Sequence, residues 1–371
     1  MRDPRQYWVA FSLVKGIGAV RFQAILKYFG DPQIAWGAPT EALREAGLSD
    51  KIIENLVRTR EKVDLDQLWD GLEKKGISVL IQQDASYPKR LNEIEQPPPV
   101  LYTQGEIHED DEWSVAIVGT RRVTAYGRQV AEDIAGSLAR NGLTIISGLA
   151  RGVDSIAHQA ALDAGGRTIA VLGSGLDRIY PPENRTLAEQ IKVGGALVSE
   201  YGPGTPPEAT NFPQRNRLIS GLALAVVVIE AGKKSGALIT ASFAADQGRE
   251  VFAVPGNITS PGSMGTNRLI RSGAHPLLSA EQVLETLELS MVAEHRSARV
   301  TLPSDAVEAQ LLETLVAEPL HVDEITNRTG IPVEKVTATL ALMELKGMIR
   351  QVASMQYVAL RETRESYDNE T

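Results

Sequence analysis

The 371-residue chain contains no cysteine. Disulfides, thiolate metal sites and cysteine nucleophiles are therefore excluded. It also lacks a long apolar run. The longest aliphatic stretch, LALAVVVI from Leu222 to Ile229, is far too short to span a bilayer. The first residues, MRDPRQYWVAFSLVKG, hold no secretory-type apolar core, so the expected location is a reducing cytoplasm, with no membrane partner. An excess of positive charge is missing as well, since the formal net charge is −9. That total argues weakly against a nucleic-acid partner, but its distribution reduces the argument. Residues 1–113 carry 14 Lys and Arg against 19 Asp and Glu, residues 114–290 carry 16 against 15, and residues 291–371 carry 8 against 13. The acidity sits at the two ends, and local potential governs anion binding more than net charge does.

What is present is a globular composition, 43% hydrophobic and 23% charged, in a chain long enough for two or three domains. The middle repeats one pattern: short β-branched runs, most ending in glycine, each followed by a helical period. The runs are VAIVG, LTIISG, RTIAVLGSG, GALVSEYG, LAVVVIEAG and EVFAVPG. Such alternation predicts a mostly parallel sheet with helices on both faces. Ligands of such sheets sit at the carboxyl ends of the strands, where the glycines and arginines lie. The expected organisation is a helical N-terminal domain over 1–85, an α/β sheet domain over 86–288, a polar linker over 289–303, a winged helix over 304–361 and a disordered tail over 362–371.

Three strand-end loops carry cations. In VGTRR, Gly119 permits a tight turn and close approach to a ligand. Thr120, Arg121 and Arg122 follow, just before a helix whose first amides and positive dipole end suit a phosphate. SGLARG repeats the design with Ser147, Gly148 and Arg151, and NFPQRNR with Phe212, Arg215, Asn216 and Arg217. An aromatic face beside cations suits an unpaired base stacked above a contacted phosphate. The competing reading is that the arginines pair with nearby carboxylates and Phe212 packs under its helix.

Other features carry less. LGSGLDRIYP offers Gly173 and Gly175 without a third glycine, which reads as a tight turn, and no phosphate-loop motif occurs. Asp154 and His158 lie one helical turn apart with no second histidine nearby, which reads as structural or capping. Glu200, Glu230 and Asp246 are scattered, so no catalytic set and no metal site is expected. KGIG, Lys15 to Gly18, has the form of a helix-hairpin-helix turn. The would-be reading helix of the winged helix carries Lys335 and Lys346 but also Glu334 and Glu344, a poor set for reading base edges.

Taken in order, VAIVGTRRVTAYG, IISGLARGVDSIAHQAAL, TIAVLGSGLDRIYPPENRTL, NFPQRNRLISGLA, SGALITASFAADQGREVFAVPG and GTNRLIRSGA resemble the DNA-processing protein A family (DprA, also called Smf). The lead-in SYPKRLNEIEQPPPVLYTQG and both flanks fit the same family. The resemblance implies an extended Rossmann-like domain, a SAM-like helical N-terminal domain and a C-terminal winged helix. It implies a homodimer that binds single-stranded DNA, protects it and loads the recombinase RecA during natural transformation, without enzymatic activity or cofactor. The family's DNA pocket would fall on Gly119, Thr120 and Arg121, on Ser147, Gly148 and Arg151, and on Phe212, Arg215, Asn216 and Arg217. Many relatives read Gly-Ser-Arg where this chain has Gly-Thr-Arg, and many carry lysine where this chain has Pro182, with Arg178 or Arg185 nearby to compensate. Two other functions compete. One is a nucleotide-processing enzyme of the phosphoribohydrolase type, whose P-G-G-x-G-T loop this chain does not match. The other is a winged-helix transcription regulator, against which the glutamates of the reading helix count.

Overall fold

The β-branched runs assemble into a sheet whose strands alternate with helices. In the computed structural model, residues 3–289, 305–315, 319–345, 348–353 and 355–359 are described. The expected tail at 362–371, the expected linker beyond Leu289, and Lys346 lie outside them.

Six helices come first: α1 (Arg5–Ser12), α2 (Ala19–Phe29), α3 (Pro32–Gly37), α4 (Thr40–Glu45), α5 (Asp50–Lys62) and α6 (Leu65–Lys74). The expected KGIG turn joins α1 to α2, with Gly16 at φ +98°. Two of its carbonyls are held internally, Gly16 by Arg21 Nη1 at 2.7 Å and Lys15 by Asn55 Nδ2 at 2.9 Å. Next come β1 (Ser78–Ile81), α7 (Lys89–Asn92) and β2 (Val100–Gly105). The alternating region then runs β3 (Ser114–Val118), α8 (Ala125–Arg140), β4 (Thr144–Ser147), α9 (Val153–Asp163), β5 (Thr168–Val171), α10 (Arg185–Gly194) and β6 (Gly195–Ser199). It continues α11 (Asn211–Leu222), β7 (Ala225–Val228), α12 (Ala237–Asp246), β8 (Glu250–Ala253), α13 (Met264–Arg271), β9 (His275–Pro276) and α14 (Glu281–Thr286).

The nine strands lie in the order β1-β2-β6-β5-β4-β3-β7-β8-β9. From β6 to β9 every neighbouring pair is parallel, while β2 runs antiparallel to both β6 and β1. Every residue of β3, β4, β5, β6 and β7 is buried, as expected for strands covered on both faces. Connections from β3 proceed one way through β4, β5 and β6, and those from β7 the other way through β8 and β9. The direction reverses between β3 and β7, which makes the crevice beyond their carboxyl ends the ligand position of the fold.

The strand Ser78–Ile81 falls inside the segment that the sequence assigns to the helical domain. It pairs with β2 as the edge of the main sheet. The helices also share a core with that sheet, in which Phe11, Phe22, Ile25 and Leu56 cluster with Leu149, Leu172, Ile191 and Leu197. Residues 1–289 accordingly form one compact unit. A four-residue strand with no terminal glycine has little signature until its partner is known.

The second unit holds α15 (Ala306–Leu315), β10 (Leu320–His321), α16 (Val322–Thr329), α17 (Val333–Leu345), β11 (Ile349–Ala353) and β12 (Gln356–Ala359). Its three strands are ordered β10-β12-β11, and Leu311, Ile325, Val336, Leu340 and Ile349 fill its core. Three helices and a small wing make a winged helix.

Candidate nucleic-acid interface

The first cationic loop is strapped down on both sides. Thr120 N–H donates to the Glu230 carbonyl at 2.7 Å, and the Thr120 carbonyl accepts from Val153 N–H at 3.2 Å. Gly152 makes the second contact possible. It adopts φ +79°, and a Cβ there would overlap the Thr120 carbonyl oxygen, so only glycine fits. Thr124 caps α8 by accepting from Gly127 N–H at 3.1 Å. Its own N–H and hydroxyl donate to the buried Glu230 carboxylate at 3.0 and 3.2 Å. With both ends fixed, Arg121 and Arg122 stand exposed. Neither joins an ion pair among the described residues. The Arg121 guanidinium instead lies 5.5 Å over the Phe212 ring.

These residues line an open cleft of about 770 Å³. Gly119–Arg122 and Lys234–Gly236 both line it, together with Phe212, Arg215 and Asn216 of α11 and the ring of Tyr180. The cleft sits at the ends of β3 and β7, where the strand order reverses. Asn216 Nδ2 donates to the Gly236 carbonyl at 3.3 Å and so ties α11 to the Lys234–Gly236 loop.

The remaining expected residues form a layer beneath or beside it. Ser147 is buried, and its hydroxyl donates to the Ile117 carbonyl at 2.6 Å. Gly148 is buried too, and a Cβ there would lie 2.7 Å from Asp154 Oδ2 and overlap the Arg215 guanidinium. Arg215 is only 3% exposed and donates to the Val171 carbonyl. Burial lowers its pKa to about 10, and Asp154 opposes that fall. Burial pushes the Asp154 carboxyl up from the usual range, against the pull of Arg215. Asp154 also accepts from Ala150 N–H at 3.3 Å, in keeping with a structural role; it does not cap its helix, whose N-cap is Gly152. His158 is buried against Thr168, with Nδ1 and Oγ1 2.6 Å apart. Burial, helped by the Arg215 charge, lowers its pKa to about 3, so it is neutral at physiological pH.

Two more arginines have carboxylate partners. Arg217 Nη2 lies 2.6 Å from Glu200 Oε2 in a largely buried pair. Burial raises the Glu200 carboxyl, and Arg217 pulls it back. Arg151 pairs with Glu183 at a half-exposed position. The reading in which arginines pair with carboxylates therefore describes Arg151 and Arg217, while Arg121 and Arg122 are left for a ligand.

Sequence reasoning passed over three residues of this region. Lys234 follows a strand and a glycine in EAGKKSG, the same design as GTRR, and that was its signal. Tyr180 stands in RIYP, where the glycines before it and the neighbouring Arg178, Pro182 and Arg185 drew notice but the ring did not. Glu230 looked like a scattered acid because its partners, Thr124 and the Thr120 loop, are about a hundred residues away. Among the described residues, no group of three His, Asp or Glu side chains could hold a metal ion, and no helix is long and apolar enough to cross a membrane. In the second unit, Glu334 and Lys335 are exposed side by side at the start of α17, and Glu344 accepts from Gln351 N–H at 3.0 Å.

An open cleft lined by cations at the switch point of the sheet, in a chain that also carries a winged helix, defines a protein of the Rossmann-like class. Residues 78–288 match the family model of DNA recombination-mediator protein A, and residues 295–355 match the DprA winged helix domain. The chain belongs to this family of DNA-processing proteins. It is 37% identical over 388 residues to Protein Smf of Synechocystis sp., covering 95% of this chain and 98% of that protein. The X-ray structure of DNA processing protein A from Streptococcus pneumoniae superposes with a TM-score of 0.67 at 33% identity, covering 76% of this chain and 97% of that one. A structure describing the single-stranded DNA binding mode of DNA processing protein A from Helicobacter pylori superposes with a TM-score of 0.52 at 34% identity, over 57% of this chain and 95% of that one.

Proposed function

We propose that this chain binds single-stranded DNA across the cleft between β3 and β7 and hands it to the recombinase RecA, protecting the strand meanwhile. It acts in the cytoplasm as a homodimer, with no bond made or broken and no cofactor. The observation that carries this reading is the Arg121 guanidinium over the Phe212 ring, on a loop whose cations have no carboxylate partner among the described residues. Cations beside an aromatic face accept a phosphate and an adjacent unpaired base together. Thr120, Arg121, Arg122 and Asn216 then face the strand, joined by Lys234, and Phe212 takes a base. Gly119 and Gly148 let the loops pack against Val153 and against Asp154 and Arg215 respectively. Ser147, Arg215 and Arg217 hold the loops from beneath, and Arg151 flanks the entrance. The Helicobacter pylori relative supports the ligand class, since its structure describes a single-stranded DNA binding mode.

The test is fluorescence anisotropy with a labelled poly-thymidine oligonucleotide, titrated across salt, for the parent and Arg121→Ala. Log affinity should fall with log salt by about 0.7 per phosphate contacted, and Arg121→Ala should weaken binding and flatten that slope. Absence of binding by the parent at low salt would sink the proposal. A RecA-loading assay on strands coated with single-strand-binding protein tests the handover.

A further inference from the structure

We propose that Tyr180 is a second base-stacking residue of the cleft, presenting its ring to the nucleotide next to the one on Phe212. The inference rests on the single-strand reading above and adds a residue that reading does not contain. The two rings lie 5.8 Å apart between centroids, tilted by 43°, so they form a bent platform rather than one stack. They differ in what is free to meet a ligand. Phe212 is half-buried, with the Gly173 backbone close against its edge, such that a Cβ on Gly173 would lie 3.1 Å from Cδ1. Arg121 lies over its face. Tyr180 is 38% exposed and lines both the main cleft and a small adjoining cavity, the latter with Arg121, Ala150, Arg151 and Phe212.

The ring is also pre-positioned. Just before it, Ser174 Oγ donates to the Arg178 carbonyl at 2.8 Å, and Ile179 packs on the core shared with the helices. Just after it, Asn184 Nδ2 donates to the Leu149 carbonyl at 2.8 Å. A segment pinned on both sides loses little conformational freedom when a base stacks on it. Exposed tyrosines elsewhere differ in their surroundings. Tyr28 gives its hydroxyl to Glu45 at 2.6 Å, beside an acid that repels phosphate, and Tyr126 gives its hydroxyl to the Pro255 carbonyl at 3.1 Å. Tyr180 alone of these three lines the open cleft, together with Arg121 and Arg122. That is the setting in which a phosphate beside a stacked base finds a cation.

The competing account is that Tyr180 merely props Phe212, and abasic DNA separates the two. The full chain is titrated by anisotropy with labelled poly-thymidine and with a strand of equal length whose sugars lack bases. Tyr180→Ala should weaken thymidine binding about tenfold and change abasic binding by less than about twofold, with the salt slope unchanged because the phosphate contacts remain. Tyr180→Phe keeps the ring and should bind thymidine like the parent, which also controls for folding. Equal losses on both strands, no loss on thymidine, or a tenfold loss in Tyr180→Phe each overturn the proposal. If the parent binds neither strand at low salt, the single-strand reading falls first and this inference with it.

Discussion

Replacing Arg215 with alanine distinguishes a residue that holds the cleft from one that touches its ligand. Arg215 and Asp154 are 3% and 7% exposed, and the electrostatics of each depends on the other. Removing the guanidinium takes the larger of two opposing charges from the buried Asp154 carboxylate, leaving the weaker pull of Arg121, and takes a donor from the Val171 carbonyl. Removing a buried charged donor from its hydrogen-bond partner costs about 3 kcal/mol. For a unit of this size each kcal/mol moves the midpoint by about 2–4 °C, so the melting temperature should fall by roughly 10 °C. The deficit also depends on pH. Burial already holds the folded Asp154 pKa above its unfolded value, and Arg215 pulls it down, so the variant raises it further. A carboxyl with a raised folded pKa favours folding below the unfolded pKa and loses that contribution as pH rises through the folded one. The deficit should therefore be larger at pH 8 than near pH 4. Relief of the Arg215 charge on His158, whose pKa is held down to about 3, works in the same direction at acid pH. Circular dichroism melts across pH, with oligonucleotide anisotropy well below the midpoint, read both effects. An unchanged melting temperature together with lost DNA binding would refute the structural role and make Arg215 a ligand contact.

Two further substitutions test the walls of the cleft. Lys234→Ala removes an exposed cation from the lining of the cleft and should weaken single-strand binding while flattening the salt slope by about 0.7; an unaltered slope means that Lys234 meets no phosphate. Gly152→Ala combines φ +79° with a Cβ that overlaps the Thr120 carbonyl oxygen and lies 2.9 Å from Arg121 Cα. It should cost at least about 2 kcal/mol, measured as a lower denaturant midpoint, and an unshifted midpoint would show that the loop moves aside freely.

The alternating region was legible because its pattern is local. Five consecutive strands buried on both faces read as near-continuous aliphatic runs, and each glycine marks the turn into a helix. The convergence of Gly119–Arg122 and Phe212 was legible for a different reason: in a parallel sheet the carboxyl ends lie on one edge whatever the side chains do. The partners of the charges were not legible. Arg217 and Glu200 are seventeen residues apart and lie on α11 and just beyond β6. Thr124 and Glu230 are 106 apart and meet only because β3 and β7 are neighbours. Sequence places Arg151, Arg215 and Arg217 in the same kind of loop as Arg121, and only the fold separates tied cations from untied ones. The edge strand Ser78–Ile81 escaped for a similar reason, since four residues, partly exposed, show no period of their own.

That sorting of cations has a consequence at the cleft's entrance. Arg151 and Glu183 are about half exposed, with side-chain exposures of 53% and 50%. Their hydrogen bond, more than their charge attraction, holds the Glu183 carboxyl below its ordinary range and the Arg151 guanidinium above its own. A phosphate arriving at Arg151 must compete with a carboxylate already in place. Glu183→Gln removes the competing charge and keeps a side chain of similar shape. Exposed ion pairs contribute little to folding, so the melting temperature should stay within about 2 °C. Affinity for poly-thymidine should rise about twofold to fivefold at low salt, and the salt slope should steepen by up to about 0.7 as Arg151 gains a phosphate. The gain should vanish at high salt, where surface charges are screened beyond a few ångströms. Unchanged affinity at low salt would mean that the strand does not pass Arg151, and its path would then run from Arg121 across Phe212 toward Lys234.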